Sequence, residues 1–190
     1  MDIVLASASP RRRELLEMLG VKELRVIPAV GEEVITDGML PSAAVCSLSL
    51  AKAEEVSKLC KKDDVVIGAD TIVSLDGEIL GKPTDENDAF RMLTALSGRT
   101  HNVFTGVTVI KGTTIITEYE RTLVRFRELS EREIHAYIAT GEPLDKAGSY
   151  GAQGVGALFT ESIEGDFFAV MGLPLCRLSK MLERVGVRLL

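Results

Sequence analysis

The sequence lacks the features that mark secreted and membrane proteins. No run of about 18 apolar residues occurs, so no membrane-spanning helix is expected. The first residues, "MDIVLASASPRRR", lack the basic segment and long apolar stretch that together form a signal peptide. These absences predict a cytoplasmic protein with no membrane partner.

Cysteine and histidine are also scarce. The three cysteines are Cys46, Cys60 and Cys176, and no CxxC pair suggests a zinc site. Cys46 and Cys60 fall on one predicted helix, too far apart to form a disulfide. We expect all three to be buried thiols of a protein in a reducing compartment. His101 and His135 are isolated and lack the spacing of metal ligands, so we interpret both as structural.

Length and charge narrow the class of protein further. A chain of 190 residues with 46% apolar residues can bury a sizeable core, as one α/β domain or as two lobes that share a cleft. The net charge is −6, whereas a protein that binds duplex DNA is usually basic. A long nucleic acid is therefore not expected as a partner, but a small anionic ligand remains compatible with the composition.

Periodicity and capping signals predict alternating strands and helices, with hairpins between some of them. The expected helices are 10–19, 41–62, 85–98, 130–141 and 174–185. The expected strands are 2–6, 24–30 and 64–75, a tight hairpin at Asp76-Gly77, a longer hairpin over 101–126, and two short strands before the last helix. This order predicts a mixed sheet with helices on its faces.

Basic residues occupy the first turn of the first predicted helix, where cations are normally disfavoured. Ser9 is the expected N-cap and Pro10 the first helical residue, so Arg11 and Arg12 lie beside free backbone N–H groups. Such a turn binds anions, and the planar guanidinium suits phosphate. We predict a phosphate site here, to which Ser7 could contribute its hydroxyl, and the alternative is a solvated basic turn.

Two charged residues interrupt apolar patterns. Lys52 lies in the middle of the stripe formed by Val45, Leu48, Val56 and Leu59, so it must snorkel, pair with a buried acid or face a cleft. Asp70 interrupts the apolar run "VVIGADTIV", and a buried carboxylate requires a cation, a metal or hydrogen-bond donors. Gly68 beside it would leave room for a ligand. We predict that Asp70 is a catalytic base or a Mg²⁺ ligand, and the alternative is a carboxylate that caps a turn.

Three further positions give weaker signals. Pro83 restricts the backbone after Lys82, but the P-loop pattern GxxxxGK[ST] is absent. The glycine-rich stretch 148–156 could approach a ligand with its backbone, and Gln153 within it could read a base edge through its paired donor and acceptor. Glu32, in the pair Glu32-Glu33, is more typical of solvated surface when it is considered alone.

Several motifs then occur in the order found in Maf-type proteins, and the chain resembles that family over nearly its whole length. They are "SASPRRRELL", "GEE", "AKAEEV", "GADTIV", "GKP", "LSGRTH", "DKAGSYGAQG" and "IEGDFFAVMGLPL". The resemblance implies an α/β fold of the Maf/ITPase-like kind, a mixed twisted sheet with flanking helices and a central cleft. It implies one domain over residues 1–190, with two lobes around that cleft, and a homodimer.

The resemblance also implies a nucleoside-triphosphate pyrophosphatase that requires a divalent metal, Mg²⁺ or Mn²⁺. Asp70 matches the family's proton acceptor, and Arg11, Thr71 and Gln153 match its specificity positions. Ser7, Arg12, Glu32, Lys52 and Lys82 match its polar residues, with Asp70 and Glu32 as the expected metal ligands. Glutamine in "YGAQG" resembles the branch that acts on dTTP and UTP. Which phosphorus is attacked, and whether Asp70 is the base or a metal ligand, stay open.

Two alternatives to this activity remain at the level of sequence. One is a non-catalytic nucleotide-binding regulator of cell division, because the family name is associated with inhibition of septum formation. The other is a house-cleaning hydrolase for damaged purine triphosphates, as in the related ITPase fold. CTP or a modified pyrimidine nucleotide is also a conceivable substrate.

Overall fold

The computed structural model describes residues 1–21, 23–36 and 38–190. Its strands are β1 Ile3–Leu5, β2 Leu24–Val26, β3 Val65–Leu75, β4 Glu78–Leu80, β5 Thr100–Lys111, β6 Thr114–Phe126 and β7 Thr160–Glu164. Its α-helices are α1 Pro10–Met18, α2 Pro41–Ser57, α3 Glu86–Leu96, α4 Glu131–Ile138, α5 Phe167–Met171 and α6 Leu175–Arg184. Short 3₁₀ turns cover Glu142–Asp145, Ala147–Ser149 and Gly154–Phe159.

Within the described residues, seven strands form one mixed sheet in the order β2-β1-β3-β5-β6-β7, with β4 paired to β3. Strand β1 pairs in parallel with both β2 and β3, with Ile3 opposite Leu24 on one side and Val65 on the other. Strands β3 and β4 form an antiparallel hairpin. Its turn residues Asp76 and Gly77 both have positive φ, at 52° and 88°, as a tight hairpin turn requires. The predicted mixed α/β sheet is confirmed.

The chain divides into two compact units, which we call the first and second units. The first unit contains Met1–Asp70, Thr105–Glu120 and Gly172–Leu190, and the second contains Thr71–Phe104 and Arg121–Met171. In the first unit, an apolar cluster joins β1, α2 and β3 through Val4, Ala6, Ala53, Val56 and Val66. In the second unit, α3 and α4 pack with aromatic side chains into a separate core that includes Phe126, Tyr137, Tyr150 and Phe159.

The start of α1 is as predicted. Ser9 caps the helix by accepting a hydrogen bond from the Arg12 amide, and Pro10 is the first helical residue. The helix is followed by Gly20, whose φ is +80°. Helices α3 and α4 also begin as predicted, at the N-caps Asp85 and Ser130, and the capping box between Ser130 and Glu133 is complete.

The ends of two elements, α2 and β2, differ from the sequence prediction. Helix α2 ends at Ser57 rather than near residue 62, because the next amides, of Leu59 and Cys60, bond three residues back in a turn. Leu59 is therefore 68% exposed and does not continue the buried stripe. Strand β2 ends at Val26 rather than at residue 30.

The second short strand expected before the last helix is instead the helix α5. Asp166 caps it, because its carboxylate accepts hydrogen bonds from the amides of Phe168 and Ala169 at 2.8 and 3.2 Å. The apolar run that follows Asp166 suits a buried strand or a buried helix equally well, and the cap decides between them.

Cysteine burial was also predicted incorrectly. The three thiols are free, as expected, but Cys46 and Cys60 are half-buried and Cys176 is exposed. Cys176 faces solvent because it lies on the polar side of α6, opposite the buried Leu175, Leu178 and Met181. Within the described ranges, no helix is both long and apolar enough to cross a membrane.

Candidate active site

Arg12 is held in place from two sides at the start of α1. Its Nε donates a 2.8 Å hydrogen bond to the carbonyl oxygen of Gly172, and its Nη1 donates a 3.1 Å hydrogen bond to the Ser7 hydroxyl. The same hydroxyl accepts a hydrogen bond from the Ser9 amide at 3.2 Å, which ties it to the N-cap of the helix. A guanidinium fixed in this way loses little side-chain entropy when it binds an anion.

The charge environment of Arg12 is mixed. Burial is the main cause that lowers the pKa of the Arg12 guanidinium, and the positive charge of Arg11 lowers it further. The carboxylates of Asp70 and Glu33 raise the same pKa in part. Arginine remains protonated at any physiological pH despite such a shift. Arg12 therefore lies as a cation within electrostatic reach of two carboxylates.

Lys52 connects those two carboxylates. Its ammonium lies 2.6 Å from Asp70 Oδ1 and 2.6 Å from a Glu33 carboxylate oxygen. The Lys52 side chain is 16% exposed and that of Asp70 is 9% exposed, whereas that of Glu33 is 49% exposed. Of the three options for Lys52, pairing with a buried acid is the one observed.

Glu55, one turn after Lys52 on α2, shapes the loop that carries Glu33. Its two carboxylate oxygens accept hydrogen bonds from the amides of Val30 and Gly31, at 2.8 and 3.0 Å. These backbone bonds lower the pKa of Glu55. A Cβ on Gly31 would lie 2.8 Å from Glu55 Oε2, so glycine allows the carboxylate to approach the loop. Helix α2 thus supplies both the ammonium and a support for its partner loop.

The structure brings four of the predicted site residues together. Ser7, Arg12, Lys52 and Asp70 interact directly or electrostatically within the first unit. Arg11 is half-buried and contributes to the charge around Arg12.

The other four predicted residues are Glu32, Thr71, Lys82 and Gln153. Glu32 is exposed, and the carboxylate that reaches Lys52 belongs to its neighbour Glu33. Thr71, Lys82 and Gln153 are in the second unit, where Thr71 is half-buried and the other two side chains are exposed.

Two residues of the cluster were not singled out from the sequence. In the sequence, Glu33 is one half of an acidic pair, and nothing in the surrounding residues distinguishes it from Glu32. Glu55 lies within "AKAEEV", where a helical acid three residues after Lys52 reads as solvated surface. Both assignments depend on the path of residues 27–36, which sequence periodicity does not predict.

The interpretation of Gly68 is corrected. A Cβ at Gly68 would collide with the backbone of Ser49 and with Ala53 on α2. A Cβ at Gly106 on β5 would likewise collide with the backbone of Val45. Glycine at both positions lets α2 pack directly on the sheet, so the space at Gly68 is filled by the helix that carries Lys52 and not by a ligand.

The residues around Lys52 suit a divalent cation only if the substrate supplies further ligands. Within residues 1–21, 23–36 and 38–190, no group of three or more histidine, cysteine or acidic side chains could hold a metal. Asp70 and Glu33 nevertheless converge on one cationic centre, and Mg²⁺ in nucleotide sites is usually bound by one or two carboxylates together with phosphates and water. The donor set fits that kind of ion.

The two histidines have the structural roles expected of them. His101 is buried, its Nε2 lies 2.7 Å from the Tyr150 hydroxyl, and burial lowers its pKa to about 4. His135 stacks on Phe90 with ring centroids 4.7 Å apart.

The fold is a mixed α/β sheet, and its first helix carries a fixed arginine within electrostatic reach of a lysine–carboxylate cluster. These features define an α/β protein with a site suited to a small anionic ligand. A family model described as Maf-like protein matches residues 2–185. The chain belongs to this family, which confirms the resemblance seen in its motifs.

Relatives of the chain include proteins named dTTP/UTP pyrophosphatase. One from Bacillus cereus is 51% identical over 97% of this chain and 96% of its own length. Another, from Bacillus anthracis, is 50% identical over the same shares of the two chains. Among solved structures, a nucleoside-triphosphatase, or dITP/XTP pyrophosphatase, from Mycobacterium abscessus has a TM-score of 0.45 at 15% identity, over 96% of this chain and 94% of that chain.

Proposed function

We propose that this protein is a nucleoside-triphosphate pyrophosphatase that hydrolyses dTTP and UTP to the nucleoside monophosphate and pyrophosphate. The observation that carries the proposal is the ion cluster of Lys52 with Asp70 and Glu33, next to the fixed guanidinium of Arg12. Hydrolysis of a phosphoanhydride needs cations for the phosphates and a group that positions and deprotonates water, and this cluster contains both. The names of relatives about 50% identical over 97% of the chain support the substrate class.

In the proposed reaction, Asp70 accepts the proton of the attacking water. Lys52 orients the Asp70 carboxylate through their 2.6 Å contact and keeps a positive charge beside the phosphates. Arg11, Arg12 and Lys82 bind phosphate oxygens, and the Ser7 hydroxyl fixes the Arg12 guanidinium. Thr71 and Gln153 recognise the base. In the alternative, Asp70 would not take the proton itself and would activate the water only as a ligand of a divalent metal.

We further propose that Asp70, with Glu32 or Glu33, holds Mg²⁺ or Mn²⁺. A divalent cation at these carboxylates would neutralise charge on the phosphate oxygens. The convergence of Asp70 and Glu33 on one ammonium supports Glu33 as a candidate beside Glu32. Replacing each glutamate separately by glutamine, and measuring Mn²⁺ binding by electron paramagnetic resonance with and without a non-hydrolysable dTTP analogue, separates the two.

We also propose the other properties that the family resemblance implies. They are a single domain over residues 1–190 with two lobes around one cleft, a homodimer, a cytoplasmic location, and a small nucleotide rather than a long nucleic acid as partner. Sedimentation analysis tests the dimer, and a DNA-binding titration tests the exclusion of long nucleic acid.

The decisive experiment is hydrolysis in ¹⁸O-labelled water. The purified protein is incubated with dTTP, UTP, ATP or a deaminated purine triphosphate and with Mg²⁺ or Mn²⁺, and the products are analysed by mass spectrometry. We expect dTMP and pyrophosphate, and the labelled product identifies the phosphorus that is attacked. Release of orthophosphate with dTDP would refute cleavage between the α- and β-phosphates. Tight binding without turnover would instead support the nucleotide-binding regulator, and preference for damaged purine triphosphates would support the house-cleaning hydrolase.

A further inference from the structure

The glycine-rich loop that contains Gln153 is attached to two side chains elsewhere in the second unit. Glu142 Oε2 accepts a 3.1 Å hydrogen bond from the Val155 amide, and Glu142 Oε1 accepts one of 3.2 Å from the Gly156 amide. On the other side of Gln153, the amide of Gly151 donates a 3.1 Å hydrogen bond to the Tyr137 hydroxyl. Gln153 therefore lies between two anchored points, two residues from each.

The two anchors are themselves joined. The Tyr137 hydroxyl donates a 2.8 Å hydrogen bond to Glu142 Oε1, so one network holds both ends of the loop segment. Tyr137 is 1% exposed and packs edge-on against Phe159, which fixes its hydroxyl. Burial alone would raise the pKa of Glu142, but the bonds from Tyr137, Val155 and Gly156 lower it overall. The carboxylate is thus held ionised, as an acceptor for all three donors.

The glycines of this loop serve the close approach to Tyr137 and Glu142. A Cβ on Gly156 would lie 2.6 Å from the Tyr137 hydroxyl, and one on Gly154 would lie 2.7 Å from Glu142 Oε2. Gly154 also has φ at +75°, which disfavours other residues. These contacts account for Gly154 and Gly156 without a phosphate ligand. By contrast, the Gln153 side chain is exposed and makes no capping bond to the 3₁₀ turn that it precedes.

We propose that Glu142 and Tyr137 are positioning residues that fix Gln153 for recognition of the nucleotide base. The inference rests on the proposed function, which assigns base recognition to Gln153, and it deepens that function by identifying what holds the recognising side chain in place. An amide on a loop anchored at both ends presents its donor and acceptor in one orientation. On an unanchored loop, part of the binding energy is used to order the loop.

The test compares selectivity among variants. kcat and KM are measured with Mg²⁺ for dTTP and for ATP, in the wild type and in Gln153→Ala, Glu142→Gln, Tyr137→Phe and the double variant Gln153→Ala with Glu142→Gln. Loss of a paired contact to a base should reduce the dTTP-to-ATP ratio of kcat/KM by about tenfold to hundredfold. We expect Glu142→Gln to reproduce most of this loss through KM for dTTP. The double variant should be no less selective than Gln153→Ala alone, because both changes remove one interaction.

The matched control is Glu161→Gln in the same unit, a surface acid with 55% side-chain exposure that pairs with Arg125. It should leave selectivity unchanged. A second readout is amide hydrogen exchange, which in Glu142→Gln should accelerate at Val155 and Gly156 while the α3 core stays protected. Glu142→Gln with wild-type selectivity, or selectivity losses that multiply in the double variant, would overturn the inference.

Failure of the proposed function gives a different result. If the wild type releases no pyrophosphate from dTTP, the same comparison is made by calorimetric binding of dTTP and ATP. Binding preferences that depend on Glu142 would then uphold the positioning role without catalysis. Absence of both turnover and nucleotide binding would overturn the two proposals together.

Discussion

Replacing Lys52 with methionine is expected to destabilise the protein and to abolish hydrolysis. The Lys52 and Asp70 side chains are 16% and 9% exposed and lie 2.6 Å apart, so the substitution leaves a buried carboxylate without its nearest cation. Removing one partner of a buried ion pair typically costs about 3–5 kcal/mol. Arg12 still acts electrostatically on both Asp70 and Glu33, and the Glu33 side chain is half-exposed. We therefore expect a loss at the low end, about 3 kcal/mol.

Urea unfolding at neutral pH, followed by circular dichroism, measures this loss. In a chain of this size it corresponds to a melting temperature lower by about 6–12 °C. Lys58→Met is the matched control, because Lys58 is exposed at the C-cap of the same helix, and the expected change is within about 0.5 kcal/mol.

A second substitution tests the cause of the loss. In the Lys52→Met background, Asp70→Asn removes the uncompensated charge and should restore about 2 kcal/mol of stability, although activity stays absent. If the two substitutions are additive, the stability loss does not arise from their pairing, and the reasoning about this cluster is refuted.

Three further predictions concern Asp70, Glu55 and His101. Asp70→Asn in the wild-type background should lower kcat by about 10²–10⁴ while the protein stays folded, as measured by pyrophosphate release. Glu55→Gln should lower kcat/KM by weakening the hold on the Val30 and Gly31 amides, whereas the neighbouring exposed Glu54→Gln should not. The pKa of His101 is about 4 in the folded protein against an ordinary 6.5, so the unfolded chain binds its proton first as the pH falls. Between pH 7 and pH 5, this residue should therefore remove about 2 kcal/mol of stability, measured by urea unfolding.

Each of these predictions has a result that would contradict it. An Asp70→Asn protein with full turnover would eliminate Asp70 as the base. Equal effects of Glu55→Gln and Glu54→Gln would mean that the loop contacts are unimportant for activity. A His101→Gln variant with the same loss of stability between pH 7 and pH 5 would place the titrating group elsewhere.

Much of the secondary structure could be predicted from local chemistry. The N-caps Ser9, Asp85 and Ser130 and the Asp76-Gly77 turn satisfy backbone groups within a few residues, so their effect is visible in the sequence. The strand around Asp70 follows from its apolar run. The strand predicted at α5 is wrong because a short apolar run suits a buried helix equally well, and the Asp166 cap favours the helix.

The candidate site was predicted in part for the same reason. Arg12, Lys52 and Asp70 contradict the local pattern around them, and a buried or misplaced charge requires a compensating partner. The need for a compensating partner can therefore be predicted from the sequence. The identity of the partner cannot, because the contacts between Lys52 and Asp70 or Glu33 join elements that are distant along the chain.

The sequence by itself determined the order of elements, the family and the charged residues that must be compensated, because these depend on local propensity, spacing and the cost of burying charge. Only the tertiary structure decided between Glu32 and Glu33 as the partner of Lys52. It also showed that Gly68 lets helix α2 pack directly on the sheet, and that Tyr137 and Glu142 anchor the loop that contains Gln153. These outcomes depend on which backbones approach within hydrogen-bonding distance, and the path of the folded chain sets that distance.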